Sequence, residues 1–414
     1  MKPRLMIISP VTPYPVFHGA GSAIFGYLRA LRPDFDLFFT GFCPRRLLRE
    51  AEQGLRLICG DVALLEEPEI RHLDAFSSTP FYFSNLRDEE LRQAVRAMHR
   101  SVRPDMVQVE YLSMAEYADG LEGIRLIRAH VQEWWHFYLG WKRSLSARAR
   151  FTQLLGALDT IAHNRRTLRS FDWVLVTSEE ERRRALELAP RARVEALPFL
   201  LMDCEQFAPH PEIPGAPRLV FVGFLPHTPN EEGLGWFLKQ VWPAVKQQEP
   251  DAHLTVIGAG ASNALLGLMH DSGVEYRGFV EDLRAAYAQS RVYIAPIFTG
   301  GGIRTKILEA MTAGVPVVCS TFAPLGLGTR AGQHLLTSDT PEGFAAHVVG
   351  LLQDDHLCHT LRRQARLLVE RRYNLQSQGP YIARRYRYFL NAAPSAQTGP
   401  QPRRGTGLTA GGVR

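Results

Sequence analysis

Ile294-Ala-Pro-Ile-Phe-Thr-Gly-Gly-Gly-Ile-Arg-Thr-Lys-Ile-Leu-Glu-Ala-Met-Thr-Ala-Gly-Val-Pro-Val-Val318 is the stretch that decides the fold. It reads as a buried strand, a glycine loop, an amphipathic helix over about 303–313 and a second buried strand. Gly300, Gly301 and Gly302 leave no side chain where the backbone must approach a ligand, and the helix behind them aims its unpaired N–H groups at the loop. An anion is the natural occupant of such a place. Arg304 and Lys306 add formal positive charge at the helix end where the dipole disfavours cations, a placement that costs stability unless an anion is bound. Glu309 lies one turn further along the face that starts at Thr305 and is placed to accept hydrogen bonds from a pair of sugar hydroxyls. A plainer reading takes the glycines as a flexible loop and Leu308, Met311 and 315–318 as ordinary core.

Outward from this segment, short apolar runs alternate with helical patterns. Strands are expected at 5–9, 35–40, 106–109, 124–128 and 173–177, and in a second series at 219–222, 254–257, 274–276, 292–295 and 315–319. Helical patterns fall between them, as at 232–246 and 282–289. Such alternation means βαβ units and doubly wound parallel sheets, an α/β fold. Pro198, Pro209, Pro211, Pro214 and Pro217 crowd one interval, which reads as a linker between two domains.

The segment 294–318, with its Ala-Pro, its glycines, Lys306, Leu308-Glu309-Ala310-Met311 and Gly314-Val315-Pro316-Val317-Val318, resembles the nucleotide-binding signature of glycosyltransferase family 4. These are the group 1 glycosyltransferases of GT-B fold, and the similarity is greatest to the branch of exopolysaccharide-associated sugar transferases. The resemblance implies two Rossmann-like domains facing a cleft, with ligands outside the carboxyl ends of the strands. The boundaries become 1–197 for the acceptor-side domain, 198–217 for the linker and 218–376 for the nucleotide-sugar domain. A crossover helix over 377–392, carrying Tyr381, Ile382, Tyr386, Phe389 and Leu390, returns to the first domain. The resemblance also implies retaining transfer from a nucleotide-diphosphate sugar, used as substrate, to a hydroxyl on a glycan or lipid-linked acceptor, with no metal and no other cofactor.

Residue by residue, the loop Pro10-Val-Thr-Pro-Tyr-Pro-Val-Phe-His-Gly-Ala-Gly21 resembles the family's proline-rich loop ending in two glycines, so Gly19 and Gly21 are expected against the donor phosphates, with Ser22 at the start of the next helix. Ala20 separates the two glycines and leaves open which of them acts; an ordinary strand-to-helix turn is the other reading. His130, just past the strand at 124–128, matches a histidine that in the family points at the transferred sugar. Glu133 and His136 compete for that place, and a purely structural His130 is the alternative. Gly223, Phe279, Val280, Ile303 and Thr305 join the glycine loop and Glu309 on the donor side, with the backbone of Phe279 or Val280 reading the base edge.

Two positions depart from the family pattern. Phe224 stands where many members carry an arginine for the leaving diphosphate, no lysine follows before Lys239, and Gly301 replaces the first glutamate of the E-x7-E pair. A departing diphosphate still requires charge compensation, and Arg304 and Lys306 are the substitutes. Loss of activity, leaving a nucleotide-sugar-binding or scaffolding protein, is the alternative meaning of the same gaps. A GT-B relative with epimerase chemistry fits 294–318 less well. Val256-Ile-Gly-Ala-Gly-Ala-Ser-Asn263 lacks the third glycine and the acidic partner of a dinucleotide fingerprint.

The 414 residues suit two domains; 45% apolar and 22% charged content are globular values. Apolar runs fall short of a membrane span, and 1–9 is expected to be a first strand, not a signal peptide. The five cysteines, odd in number and without a Cys-x-x-Cys pair, argue against a disulfide framework and for a reducing cytoplasm. Residues 393–414, rich in Pro, Gly, Ser, Thr and Gln, have the composition of a disordered tail. Between 140 and 170, seven basic residues (Lys142, Arg143, Arg148, Arg150, Arg165, Arg166, Arg169) face one acid, Asp159. Phe151, Leu154, Leu155, Leu158 and Ile161 fall at helical spacing, so an amphipathic helix packing its apolar stripe on the first domain is expected. Upstream, Trp134, Trp135 and Trp141 mix with Lys142 and Arg143, which suits peripheral contact with an anionic membrane at the inner face of the cytoplasmic membrane, or else an acceptor groove. Nucleic acid is not expected, because no binding module accompanies the charge.

Overall fold

The computed structural model describes residues 1–16, 19–68, 86–129, 147–198, 200–205, 207, 209, 214–280, 282–300 and 303–392. His130 with its competitors Glu133 and His136, the Trp-rich segment 134–141, Gly301, Gly302 and the tail 393–414 lie outside the described residues.

Two all-parallel sheets organise the chain. In the first, β1 (Arg4–Ser9), β2 (Asp36–Cys43), β3 (Asp61–Glu66), β4 (Met106–Glu110), β5 (Ile124–Arg128), β6 (Trp173–Val176) and β7 (Val194–Ala196) run in the order β3-β2-β1-β4-β5-β6-β7. In the second, β8 (Arg218–Val222), β9 (His253–Ile257), β10 (Glu275–Tyr276), β11 (Val292–Ala295), β12 (Val317–Cys319) and β13 (Leu336–Thr337) run in the order β10-β9-β8-β11-β12-β13. The strand order reverses between β1 and β4 and between β8 and β11, and open α/β sheets bind ligands in the crevices at such points. The fold is α/β with GT-B architecture, as expected from the resemblance.

The helices are α1 (Gly19–Leu31), α2 (Leu48–Arg56), α3 (Glu89–Val102), α4 (Ala147–Ser170), α5 (Glu179–Leu188), α6 (Thr228–Trp236), α7 (Trp242–Gln248), α8 (Asn263–Asp271), α9 (Arg284–Gln289), α10 (Thr305–Thr312), α11 (Pro341–Gln353), α12 (Asp355–Arg372) and α13 (Leu375–Asn391). Side-chain oxygens of Asp88, Ser178, Ser262, Thr340, Asp354 and Asn374 cap α3, α5, α8, α11, α12 and α13. The end of α13 returns to the first sheet, where Ile382, Ala383, Tyr386 and Phe389 share a core with Leu5, Ile7, Ile24 and Leu28.

Several expectations need correcting. The helix expected from 303 starts at Thr305, because Arg304 has non-helical ψ 86 and serves as N-cap. β12 begins at Val317 instead of 315: Gly314 is left-handed at φ +73 and the Val315 N–H closes the preceding helix on Ala310 O. The helix expected over 232–246 is interrupted by a π-turn at Phe237–Val241 just before Pro243, which lacks the N–H a regular helix would use. Ser22 lies inside α1 and does not start it. β3, β7 and β13 were not anticipated; β7 and β13 are only 3 and 2 residues long, too short for a periodic signal.

The largest correction concerns α4. Of the expected stripe, Phe151, Leu154, Leu155 and Leu158 do not pack on the first domain, being 62%, 48%, 49% and 55% exposed, while Ile161 is half-buried. The buried face is the opposite one, made by Thr160, Asn164, Thr167 and Leu168.

Candidate functional site

The two domains meet where two helices begin. A Cβ placed on Gly19, the first residue of α1, would lie 2.8 Å from both Cγ2 and Oγ1 of Thr305, the first residue of α10. The missing side chain at 19 is therefore what lets the helix starts converge, with the positive ends of both helix dipoles toward the space between. Gly21 is buried within the first turn of α1.

On the second sheet, three loops at carboxyl ends form the opposite wall. After β8, the Gly223 N–H donates to Ile257 O at 3.0 Å, and the Asn230 amide donates to Phe224 O at 2.8 Å. After β9, Gly258 has φ +152 and a Cβ there would collide with Gly223 O at 1.8 Å, so only glycine brings these two loops together. After β10, Gly278 O accepts from the Gly258 N–H at 2.7 Å and is followed by Phe279. Phe224 and Phe279 are 64% and 66% exposed, whereas Val280 packs partly against the core.

After β11, Gly300 adopts φ +103, a left-handed conformation suited to glycine. The Arg304 guanidinium donates to Thr299 O and Gly300 O, each at 3.2 Å, and lies 4.6 Å from the Phe322 ring centroid. It thus braces the glycine loop from behind. Burial pushes Arg304 down to about 10, a desolvation cost that a nearby anion would offset. No side chain caps α10, unlike the long helices named above. Ile303 packs partly against the core and Thr305 is buried.

One turn into α10, Lys306 Nζ donates to both oxygens of Glu309, at 3.0 and 2.8 Å, and the Tyr287 hydroxyl donates to Glu309 Oε2 at 3.4 Å. The carboxylate is nearly buried while the lysine is partly exposed. Burial, followed by the charge of Glu309, holds the Tyr287 phenol well above its ordinary range, so this group stays a donor. Lys306 and Glu309 are brought together with each other; Gly19, Thr305 and Gly300 are brought to the same end of the cleft.

A feature missed by sequence reasoning lies under the carboxyl end of β5. Arg128 Nη1 donates to Glu110 Oε1 at 3.2 Å, Gln108 Nε2 donates to the same oxygen at 2.5 Å, and Tyr386 of α13 donates to Gln108 Oε1 at 2.6 Å. The guanidinium also sits 3.9 Å from the Tyr27 ring centroid, and the Tyr27 hydroxyl donates to Pro198 O at 2.6 Å. Burial pushes the Glu110 carboxyl up, and Arg128 pulls it back. The signal was present: charges inside the apolar runs Met-Val-Gln-Val-Glu and Ile-Arg-Leu-Ile-Arg. This network joins the first sheet, α1, the linker and the crossover helix.

A glycine-lined crevice at the switch point of one α/β sheet, faced by a second such domain, is the GT-B architecture. Residues 216–354 match the family model for glycosyl transferases group 1. Over 141 residues the chain is 31% identical to an uncharacterized 44.6 kDa protein in the cps region of Klebsiella pneumoniae, covering 32% of this chain and 36% of that one. Over 167 residues it is 29% identical to the phosphatidyl-myo-inositol mannosyltransferase of Mycolicibacterium smegmatis, covering 38% and 42%. The matches thus span well under two thirds of these relatives. HepE of Anabaena, solved in complex with UDP and glucose, superimposes with a TM-score of 0.66 at 13% identity, covering 93% of this chain and 99% of that one.

Proposed function

We propose that this protein is a retaining glycosyltransferase that moves a sugar from a nucleotide-diphosphate sugar to a hydroxyl acceptor in exopolysaccharide or cell-surface glycan synthesis. The observation that carries the reading is the convergence of the α1 and α10 N-termini at Gly19 and Thr305 beside the glycine loop, a pocket of N–H donors suited to a diphosphate. The family match over 216–354 supports the donor side. The cps-region relative and the mannosyltransferase support a glycan product and make mannosyl donors the first to try.

In this reading the acceptor oxygen bonds to the anomeric carbon as its bond to the diphosphate breaks, on the same face, and the acceptor proton passes to the departing diphosphate. Charge that develops on the leaving group is met by the helix N-termini and by Lys306, with Arg304 holding the loop in shape. Glu309 accepts from the ribose hydroxyls, the backbone of Phe279 or Val280 reads the base edge, and His130 bonds a sugar hydroxyl. No metal or other cofactor is called upon. The test is calorimetry followed by turnover assays with UDP-, GDP- and ADP-sugars, glucosyl and mannosyl, together with mass spectrometry of nucleotide retained on purification. Tight nucleotide binding with no transfer or hydrolysis of any donor would replace this reading by that of an inactive binding protein.

A further inference from the structure

Helix α4 is inside out. Its buried face is Thr160, Asn164, Thr167 and Leu168, while Phe151, Leu154, Leu155 and Leu158, at the i, i+3, i+4, i+7 spacing of one helical face, are turned to solvent. Two and three turns further, the same exposed face continues with Arg165, Arg166 and Arg169, all exposed. Asp159 is the only acid in the helix. A helix of 24 residues is about 36 Å long, whereas the five-residue strand β5 that precedes it spans about 17 Å. Its C-terminal end is fixed at the amino edge of the sheet, where Arg125 of β5 donates to Ser170 O at 2.6 Å. Running antiparallel to the strand, α4 therefore overshoots the carboxyl edge, and the overhang is the half that bears the four apolar side chains.

We infer that this exposed face is a docking surface for an anionic lipid bilayer, lying along it with Phe151, Leu154, Leu155 and Leu158 at the headgroup boundary and Arg165, Arg166 and Arg169 against lipid phosphate. The occupant is chosen by charge. The stripe is continued by cations on the same face, within a chain of formal charge +6, which favours an anionic surface over a second copy of the same basic helix.

The experiment is co-sedimentation of the full chain with vesicles of phosphatidylglycerol mixed equally with phosphatidylcholine, against phosphatidylcholine alone. Binding is expected only to the anionic vesicles and to weaken at high salt. Leu154→Asp with Leu155→Asp should lower partitioning by at least tenfold, since each leucine withdrawn from the interface is worth about that factor. Arg165→Ser with Arg166→Ser and Arg169→Ser should lower it about fivefold per cation. These positions are exposed, and circular dichroism with thermal melting confirms that the variants fold. All five native cysteines are buried, so Leu158→Cys can carry an environment-sensitive dye, expected to be wet without vesicles and dehydrated with them. Four results would each overturn the inference: no binding to anionic vesicles, binding insensitive to the stripe, a dye already dry in free protein because the chain covers its own helix, or self-association abolished by Leu154→Asp with Leu155→Asp in place of lipid binding.

Discussion

Gly19→Ala is the sharpest probe of the convergence between the two domains. The added methyl would sit 2.8 Å from Cγ2 and Oγ1 of Thr305, about 0.7–1.2 Å inside the optimal separation of such atoms. Overpacking of this kind costs about 1–3 kcal/mol when the surroundings cannot give way. Here they can give way in one direction, by moving the starts of α1 and α10 apart, so the cost should fall on the donor-bound, closed state. Nucleoside diphosphate affinity should drop by a factor of about 5 to 150. Stability of the unliganded protein should hold or rise, because alanine is favoured over glycine in a helix by up to about 1 kcal/mol. Thr305→Ala removes both clashing atoms and leaves Thr305 Cβ as the neighbour at 3.4 Å, an ordinary contact. The double variant should therefore bind nucleotide as well as Thr305→Ala alone. Calorimetric titration with UDP or GDP, run with urea melts on all four proteins, measures the cycle. Unchanged affinity in Gly19→Ala, or a double variant that is no better than Gly19→Ala, would refute the close approach as a determinant of donor binding.

Glu309→Gln should weaken the nucleotide roughly ten- to a hundredfold while free diphosphate binding changes little, the loss of one charged hydrogen bond; equal nucleotide affinity in the folded variant counts against the ribose role. Lys306→Ala should depress kcat by about tenfold to a thousandfold with a smaller effect on nucleotide affinity, and Arg304→Ala should weaken both because the glycine loop loses its brace; wild-type kinetics in the double variant would move charge compensation to other residues. Glu110→Gln should cost about 3–5 kcal/mol in denaturant unfolding, since Arg128 is left buried without its carboxylate, and a loss below about 1 kcal/mol would show the pair to be dispensable. Burial raises the Glu181 pKa above its ordinary 4.5, against bonds from Thr177 that lower it. Its stabilising contribution is accordingly present in full below about 4.5 and is lost as pH rises through the raised folded value. Urea midpoints of Glu181→Gln should fall less over that window than those of the wild type, and parallel profiles would exclude the effect.

Most of the fold was legible because its strands are short apolar runs buried on both faces, and β5 and β11 lie where that pattern places them. β13, a two-residue strand, offers no such pattern. In the site, the glycine loop and Lys306 with Glu309 could be read from spacing and resemblance, since both are local to one segment. Contacts across the chain could not. The resemblance put Gly19 and Thr305 on the same donor, but their direct contact was not readable, and nothing near Tyr386 points to Gln108, 278 residues away. Periodicity predicted a helix at α4 but not which face the protein would bury, because that choice is made by contacts distant in sequence. The four apolar residues face away from the surface they were expected to cover.

The arrangement at α10 also bears on how a site without the usual arginine at position 224 could respond to its donor. Lys306 has two hydrogen bonds committed to Glu309. A ribose would compete for the carboxylate and a phosphate for the ammonium, so one ligand offering both groups can replace the pair at both ends, whereas free phosphate can engage only one. The pair is partly shielded, with Glu309 nearly buried, and separating it without compensation would leave a carboxylate in low dielectric, a cost of several kcal/mol. That cost falls most heavily on ligands lacking the ribose. On the proposed function, the ion pair therefore acts as a filter for an intact nucleoside diphosphate: Lys306 becomes available to the leaving group when Glu309 has found its hydroxyls. Discrimination between UDP and inorganic diphosphate should then collapse in Glu309→Gln, whose amide cannot hold Lys306 as an ion pair. Titrations of both ligands into wild type and variant measure that ratio, and an unchanged ratio would mean that Lys306 and Glu309 act independently.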